Sequence, residues 1–225
     1  MFKVQCKLWR FERDEKKHPC HFNYKVGDEI LYDGVNFTGR ICHGLIPQMM
    51  PVVQAIFLEG NRYHEGGMYR FRGDDTRDSE MIKYDGFGFR PLKEVDEDRR
   101  REVDGLLWMD PKTGRLKGGH FLCADHRTLA HFAVRAVDLS EGDYAQPFYR
   151  RCIAVLEKVE SEPGMGIDDV LGRFSRFERE EIAPVLTPTF VRVLVEALED
   201  VGYVDIRDGK VYGTGREPPS RPRIG

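Results

Sequence analysis

The dipeptide Asp208-Gly209 constrains this chain more than any other short feature. It sits inside YVDIRDGKVYGTG, residues 203–215, between two short runs that alternate apolar and polar side chains. Asp-Gly tolerates the positive φ angles of a tight turn, so the stretch is predicted to be a β-hairpin across Arg207, Asp208, Gly209 and Lys210. Three helical stretches precede it. QPFYRRCIAVLEKVES (146–161) is amphipathic, and GIDDVLGRFSRFEREEIAPVL (166–186) is a second helical stretch. TPTFVRVLVEALEDVGY (187–203) opens with Thr187 as N-cap and Pro188 at the first helical position.

Three helices and then a hairpin is the element order of a winged helix, and residues 146–215 resemble that superfamily. The resemblance covers about a third of the chain, and nucleic-acid binding is the function it first brings to mind. Charge argues against that. From Gln146 to Gly225 there are twelve Lys and Arg against fourteen Asp and Glu, a balance of −2. The helix that would read bases, Pro188–Val201, holds Arg192 against Glu196, Glu199 and Asp200. Duplex binding needs several phosphate contacts, which an acidic helix opposes. Arg173, Arg176, Arg207 and Lys210 are the residues that would form a basic stripe. A role in structure, dimerisation or partner docking fits such a helix better than DNA binding.

The other end of the chain is patterned differently. Phe2, Val4, Cys6 and Leu8 alternate as in a half-buried strand. Val26-Gly27-Asp28 reads as a turn, Glu29–Tyr32 as a short strand and Asp33-Gly34 as a second turn. TGRICHGLIPQMMPVVQAIFLEG reads as a helix with apolar positions 45, 46, 49, 52, 53 and 56. Pro47 suits its first turn, Pro51 should kink it or mark its start, and Gly60 ends it. Lys25, Val26, Gly27, Asp28, Gly39, Ile41, Cys42 and Pro47 together resemble a family of short uncharacterised microbial proteins. The chain departs from that pattern at His43, where the family carries proline, and at Gly60, where it carries a glycine pair. The resemblance implies a small α+β domain and brings no activity with it.

Short strands are expected in the glycine- and aromatic-rich segment 61–92, at GGMYRFRG and GFGFRPL. The charge run KEVDEDRRREVDG suggests a boundary, and GLLWMDPKTGRL reads as two strands around a turn. The expected organisation is a small α+β domain over 1–95, a central strand-helix segment over 96–145, a winged helix over 146–215 and a disordered tail over 216–225. No internal repeat is present.

Candidate chemistry lies in three short clusters. Cys42 precedes a helix, where the dipole favours a thiolate, and His43 adjoins it. Cys20 and His21, with His18, form a possible half-site; joined to Cys42 and His43 they would supply the four ligands of a zinc site. The third is GGHFLCADHRTLAHF, residues 118–132. A strand over GHFLC would put Phe121 and Cys123 on one side and His120 and Leu122 on the other. Asp125 is expected to N-cap a helix over His126–Asp138, with Leu129, Phe132, Ala133, Ala136 and Val137 on one face. On such a helix His126 and His131 do not share a face, which leaves Cys123 and His126 as the pair that a strand-to-helix turn would bring together, with Arg127 nearby. Zinc or iron are the metals considered for these ligands.

The chain carries no P-loop, GxGxxG after a strand, HExxH, GxSxG or deaminase HxE…PCxxC. Five cysteines, an odd number without a CxxC pair, read as reduced thiols rather than a disulfide framework. The N-terminus does not read as a signal peptide, and the longest apolar stretch, Leu45–Leu58, is too short to span a membrane. A net charge of −3 over 225 residues gives no global basic field. These features point to a cytoplasmic, non-catalytic binding or assembly protein, expected as a homodimer. A small ligand or metal would lie between the Cys42 helix and the Cys123–His126 turn. The alternatives are an enzyme using Cys42 or Cys123 with a histidine partner, and a winged-helix transcription regulator.

Overall fold

The alternation at the N-terminus folds as strand β1, Phe2–Phe11, with Phe2, Val4, Cys6 and Leu8 all buried. Side chains two apart share a face, so one side of this strand is apolar and the other carries Lys3, Gln5 and Lys7. Strands β2 (Glu29–Tyr32), β3 (Phe37–Thr38), β4 (Gly119–Leu122) and β5 (Ala130–Leu139) join it in an antiparallel sheet of order β3-β2-β1-β5-β4. The computed structural model describes residues 1–63, 117–140 and 147–219. The short strands expected at GGMYRFRG and GFGFRPL, the charge-run boundary and the turn at GLLWMDPKTGRL therefore lie outside the described residues.

A 3₁₀ turn covers Gly60–Arg62 directly after helix α1, Ile46–Glu59. Pro47 occupies the first turn of α1 as expected. Pro51 lies inside the helix and does not mark its start; it removes a single backbone donor. Gly60 closes the helix at φ 72°, and a Cβ there would meet the Phe2 ring at 2.9 Å. Glycine is therefore required both by backbone conformation and by close packing. Helix α1 covers the apolar face of the sheet, and Met49, Val53 and Ile56 are buried against it.

The expected helix over His126–Asp138 is absent. Residues 125–129 form a turn, with the Thr128 and Leu129 N–H groups bonded to the Asp125 carbonyl. The chain then runs as β5, paired along its length with β1. Leu129, Phe132, Ala133, Ala136 and Val137 satisfy a helical period, but Phe132, Val134 and Ala136 also satisfy a period of two and are the buried ones. A ten-residue partner strand decides between the two periods, since β5 pairs with β1 from Ala130 to Leu139. Asp125 caps the turn through its side chain, which accepts the Arg127 N–H at 3.0 Å.

In the C-terminal part, helix α2 (Pro147–Ser161) precedes strand β6 (Met165–Gly166) and a 3₁₀ segment, Ile167–Arg173. The second helical stretch is thus broken: only Arg176–Glu180, α3, is α-helical, opened by a Ser175–Glu178 capping box. Helix α4, Pro188–Asp200, has Thr187 as N-cap and Pro188 in its first turn, as expected. Strands β7 (Val204–Arg207) and β8 (Lys210–Gly213) form the expected hairpin, with Asp208 and Gly209 both at positive φ. Strand β6 pairs with β8, giving the order β6-β8-β7. A ring chain from Phe2 through Phe148 to Phe190, at 6.3 and 5.9 Å, joins the two parts in one apolar core.

Candidate functional site

Two loops and one turn meet at the end of the sheet beside α1. The loop before the Val26-Gly27-Asp28 turn carries Cys20 and His21, and the segment leading to α1 carries Cys42 and His43. Tyr24 ties these together. Its hydroxyl donates to the Arg40 carbonyl at 2.7 Å and accepts the Cys42 N–H at 3.0 Å. Its ring stands edge-on to Phe132, 5.5 Å between centroids, which fixes it to the sheet. Arg40 adds a bond from its guanidinium to the Phe22 carbonyl. The 123–129 turn closes the third side, held to the first loop by the Thr128 hydroxyl on the His18 carbonyl.

Between these walls lies a partly open cavity of about 80 Å³. Tyr24, Leu45 and Ala130 give it an apolar floor, and Cys20, Cys42 and Cys123 all face it. His21, His43, Ala124 and Asp125 stand around it. The structure thus brings together Cys20, His21, Cys42, His43 and Cys123 from the sequence candidates. It leaves out His126, which is exposed and is not part of the lining. Among the described residues, no group of three or more His, Cys, Asp or Glu side chains is arranged to hold a metal ion.

Across the cavity, Cys42 Sγ lies 4.0 Å from His21 Nε2, and His21 Nδ1 lies 3.7 Å from Asp125 Oδ2. The Asp125 carboxyl is held down at about 2 by the Arg127 guanidinium and backbone N–H, so it is an anion at neutral pH. Cys123 is differently placed. Its sulfur accepts the Ala130 N–H at 3.0 Å and reaches the Asp125 carbonyl at 3.7 Å, filling in for a ladder bond where β4 ends. Burial raises its thiol above the ordinary value. Cys6 and Cys152, buried in the core, are pushed up to about 12 by burial. No family model, curated protein or solved structure matches this chain.

A second polar cluster lies on the opposite face of the sheet. His131 Nδ1 is 2.5 Å from Glu12 Oε1, and His131 Nε2 is 3.1 Å from His120 Nδ1. The Trp9 ring stands edge-on to His131 at 5.2 Å. A helix over His126–Asp138 would separate His131 from Glu12 and His120, so this grouping depends on β5 being a strand. Alternation along AHFAVRAV, which turns His131 to the face opposite Phe132, was the signal available.

Proposed function

We propose that the chain is a small-ligand-binding protein, with the cavity at Cys42 as its binding site and its C-terminal part serving protein contact. The convergence of two loops and the 125–129 turn on one partly apolar cavity carries this reading. Its volume corresponds to roughly three waters at liquid density, a small ligand fragment. Apolar walls with a few polar groups at the rim are the usual makeup of such sites. The backbone of the loops around it is tied at Arg40, Cys42 and His18 by the Tyr24 and Thr128 hydrogen bonds, which favours a preformed pocket.

The order helix, strand, helix, helix and hairpin supports reading residues 147–213 as a winged helix. Its α4 is engaged within the chain itself. Val191, Val193, Leu194, Val195 and Leu198 are all buried, and the side left partly exposed carries Arg192 with the acidic Glu196 and Glu199. Arg62, only 3% exposed, donates to Asp200 at 3.0 Å beside Glu196, so the helix's acidic residues meet the turn after α1. Arg173, Arg176 and Arg207, three of the four residues of the anticipated basic stripe, pair with Glu162, Glu180 and Asp205. Protein contact therefore fits this unit better than phosphate contact.

The test is ligand-observed NMR with a panel of neutral aromatic and aliphatic fragments. Fragments should bind the wild-type chain and lose binding to Ala124→Phe, which fills the cavity from an exposed position. Fragment signals identical in the two proteins, or absent from both, would overturn the reading.

A further inference from the structure

We propose that Cys42 is a nucleophile toward carbonyl carbon, with His21 as its proton acceptor and Asp125 as the residue that positions His21. The inference rests on the cavity being a ligand site and adds the reaction class: acyl transfer from an ester or thioester.

The order of atoms supports it. Sulfur faces Nε2, and Nδ1 of the same ring faces a carboxylate oxygen, at 4.0 and 3.7 Å. A thiol, an imidazole and a carboxylate in that sequence let the ring take the thiol proton while the carboxylate stabilises the resulting imidazolium. Both contacts are longer than good hydrogen bonds, as is common before a substrate is bound. His21 can close them because its side chain is 58% exposed on a loop, whereas Asp125 is fixed by Arg127 and its own turn. Cys42 is 8% exposed, and that exposure is to the cavity.

The other two cavity thiols lack this arrangement. Cys123 has its sulfur engaged with the Ala130 N–H and is raised by burial. Cys20 makes no sulfur–imidazole contact among the described residues.

The steps balance without any further cofactor. The Cys42 S–H proton passes to His21 Nε2 as sulfur bonds to the carbonyl carbon. The bond from that carbon to the ester oxygen or thioester sulfur breaks, and the leaving group departs with the proton from His21. Water, with His21 again as base, then cleaves the Cys42 thioester to the acid and regenerates the thiol.

The experiment has two arms on the full chain. In the first, iodoacetamide labelling is followed thiol by thiol by peptide mass spectrometry from pH 5 to 9. Cys42 should label fastest of the five. His21→Gln should slow it at least tenfold near neutral pH. Asp125→Asn should slow Cys42 by a smaller factor, recovered in Asp125→Glu, while Cys20 and Cys123 label as in wild type. In the second arm, p-nitrophenyl acetate should give a burst of nitrophenol with acetyl on Cys42, absent in Cys42→Ser. A Cys42 rate unchanged by His21→Gln, or a burst retained in Cys42→Ser, would overturn the proposal. Fragment binding that is lost in Ala124→Phe, alongside such a result, would leave the ligand site standing and remove only the nucleophile. Absence of fragment binding would remove the site itself.

Discussion

The two faces of the sheet each carry a histidine beside a carboxylate, and the two pairs are built in opposite ways. On one face His131 is 5% exposed, lies 2.5 Å from Glu12 and 3.1 Å from His120, and packs against Trp9. On the other, His21 is mostly exposed, and its contacts with Asp125 and Cys42 are 3.7 and 4.0 Å. A short, buried contact is formed once, on folding, and then contributes to stability. A long, exposed contact contributes little to folding and leaves the ring free to move. The first pair is therefore structural. The second has the looseness that a proton acceptor needs when a substrate must enter between the groups.

Stability should separate the pairs most sharply. His131→Ala removes a buried ring and leaves Glu12 and His120 without their shared partner, which should cost about 2–4 kcal/mol. His21→Ala, on the exposed loop, should stay within about 0.5 kcal/mol of wild type. Urea unfolding of both variants is the measurement. Equal losses would make the cavity pair structural too and would weaken the case for chemistry there.

That contrast was only half legible in the sequence. Cys20, His21, Cys42 and His43 could be grouped because they flank two recognisable features, the Val26-Gly27-Asp28 turn and the start of α1. The Pro188 helix and the Asp208-Gly209 hairpin were readable because their signals are local: an N-cap with proline after it, and a turn dipeptide. The strand at 130–139 was not. Its apolar residues fit both periods, and the choice depended on β1, more than a hundred residues away. The same error hid two contacts. Taking Asp125 as a helix cap removed it as a partner for His21, and taking His131 as helical hid its bond to Glu12, 119 residues distant. His126 is exposed and lies outside the cavity lining.

Acid should act on the closed cluster first. Burial is the main cause that lowers both His120 and His131, outweighing for His131 the raising effect of Glu12. A histidine whose folded value is depressed favours the neutral form in the fold. Its stabilising contribution is complete above the ordinary value of about 6.5 and is lost as pH falls below that. Glu12 and Asp125 are lowered carboxyls, Glu12 because bonds from His131 and Arg10 outweigh its burial. Their contributions hold above the ordinary carboxyl range and fade at lower pH. Thermal unfolding between pH 7 and 5.5 should thus show a loss that His120→Gln reduces and Asp125→Asn leaves unchanged. A loss reduced by Asp125→Asn would place the titration in the cavity.

The smallest effect expected is the most selective one. Gly44 lines the cavity, and a Cβ built there would lie 3.8 Å from Cys42 Sγ, an ordinary van der Waals distance. Its backbone does not adopt the left-handed conformation that reserves a position for glycine. Gly44→Ala should therefore fold normally, with stability unchanged or raised by up to about 1 kcal/mol through the less flexible unfolded chain. The new methyl nevertheless occupies space beside the sulfur. Iodoacetamide labelling of Cys42 should slow about two- to fivefold, and a bulkier maleimide should slow further, because crowding grows with reagent size. Cys20 and Cys123 should label as in wild type. If all three thiols slow together, the methyl has disturbed the loop rather than the approach to sulfur. If none slows, reagents reach Cys42 by a path other than the cavity, and the open pair would no longer be the place where a substrate enters.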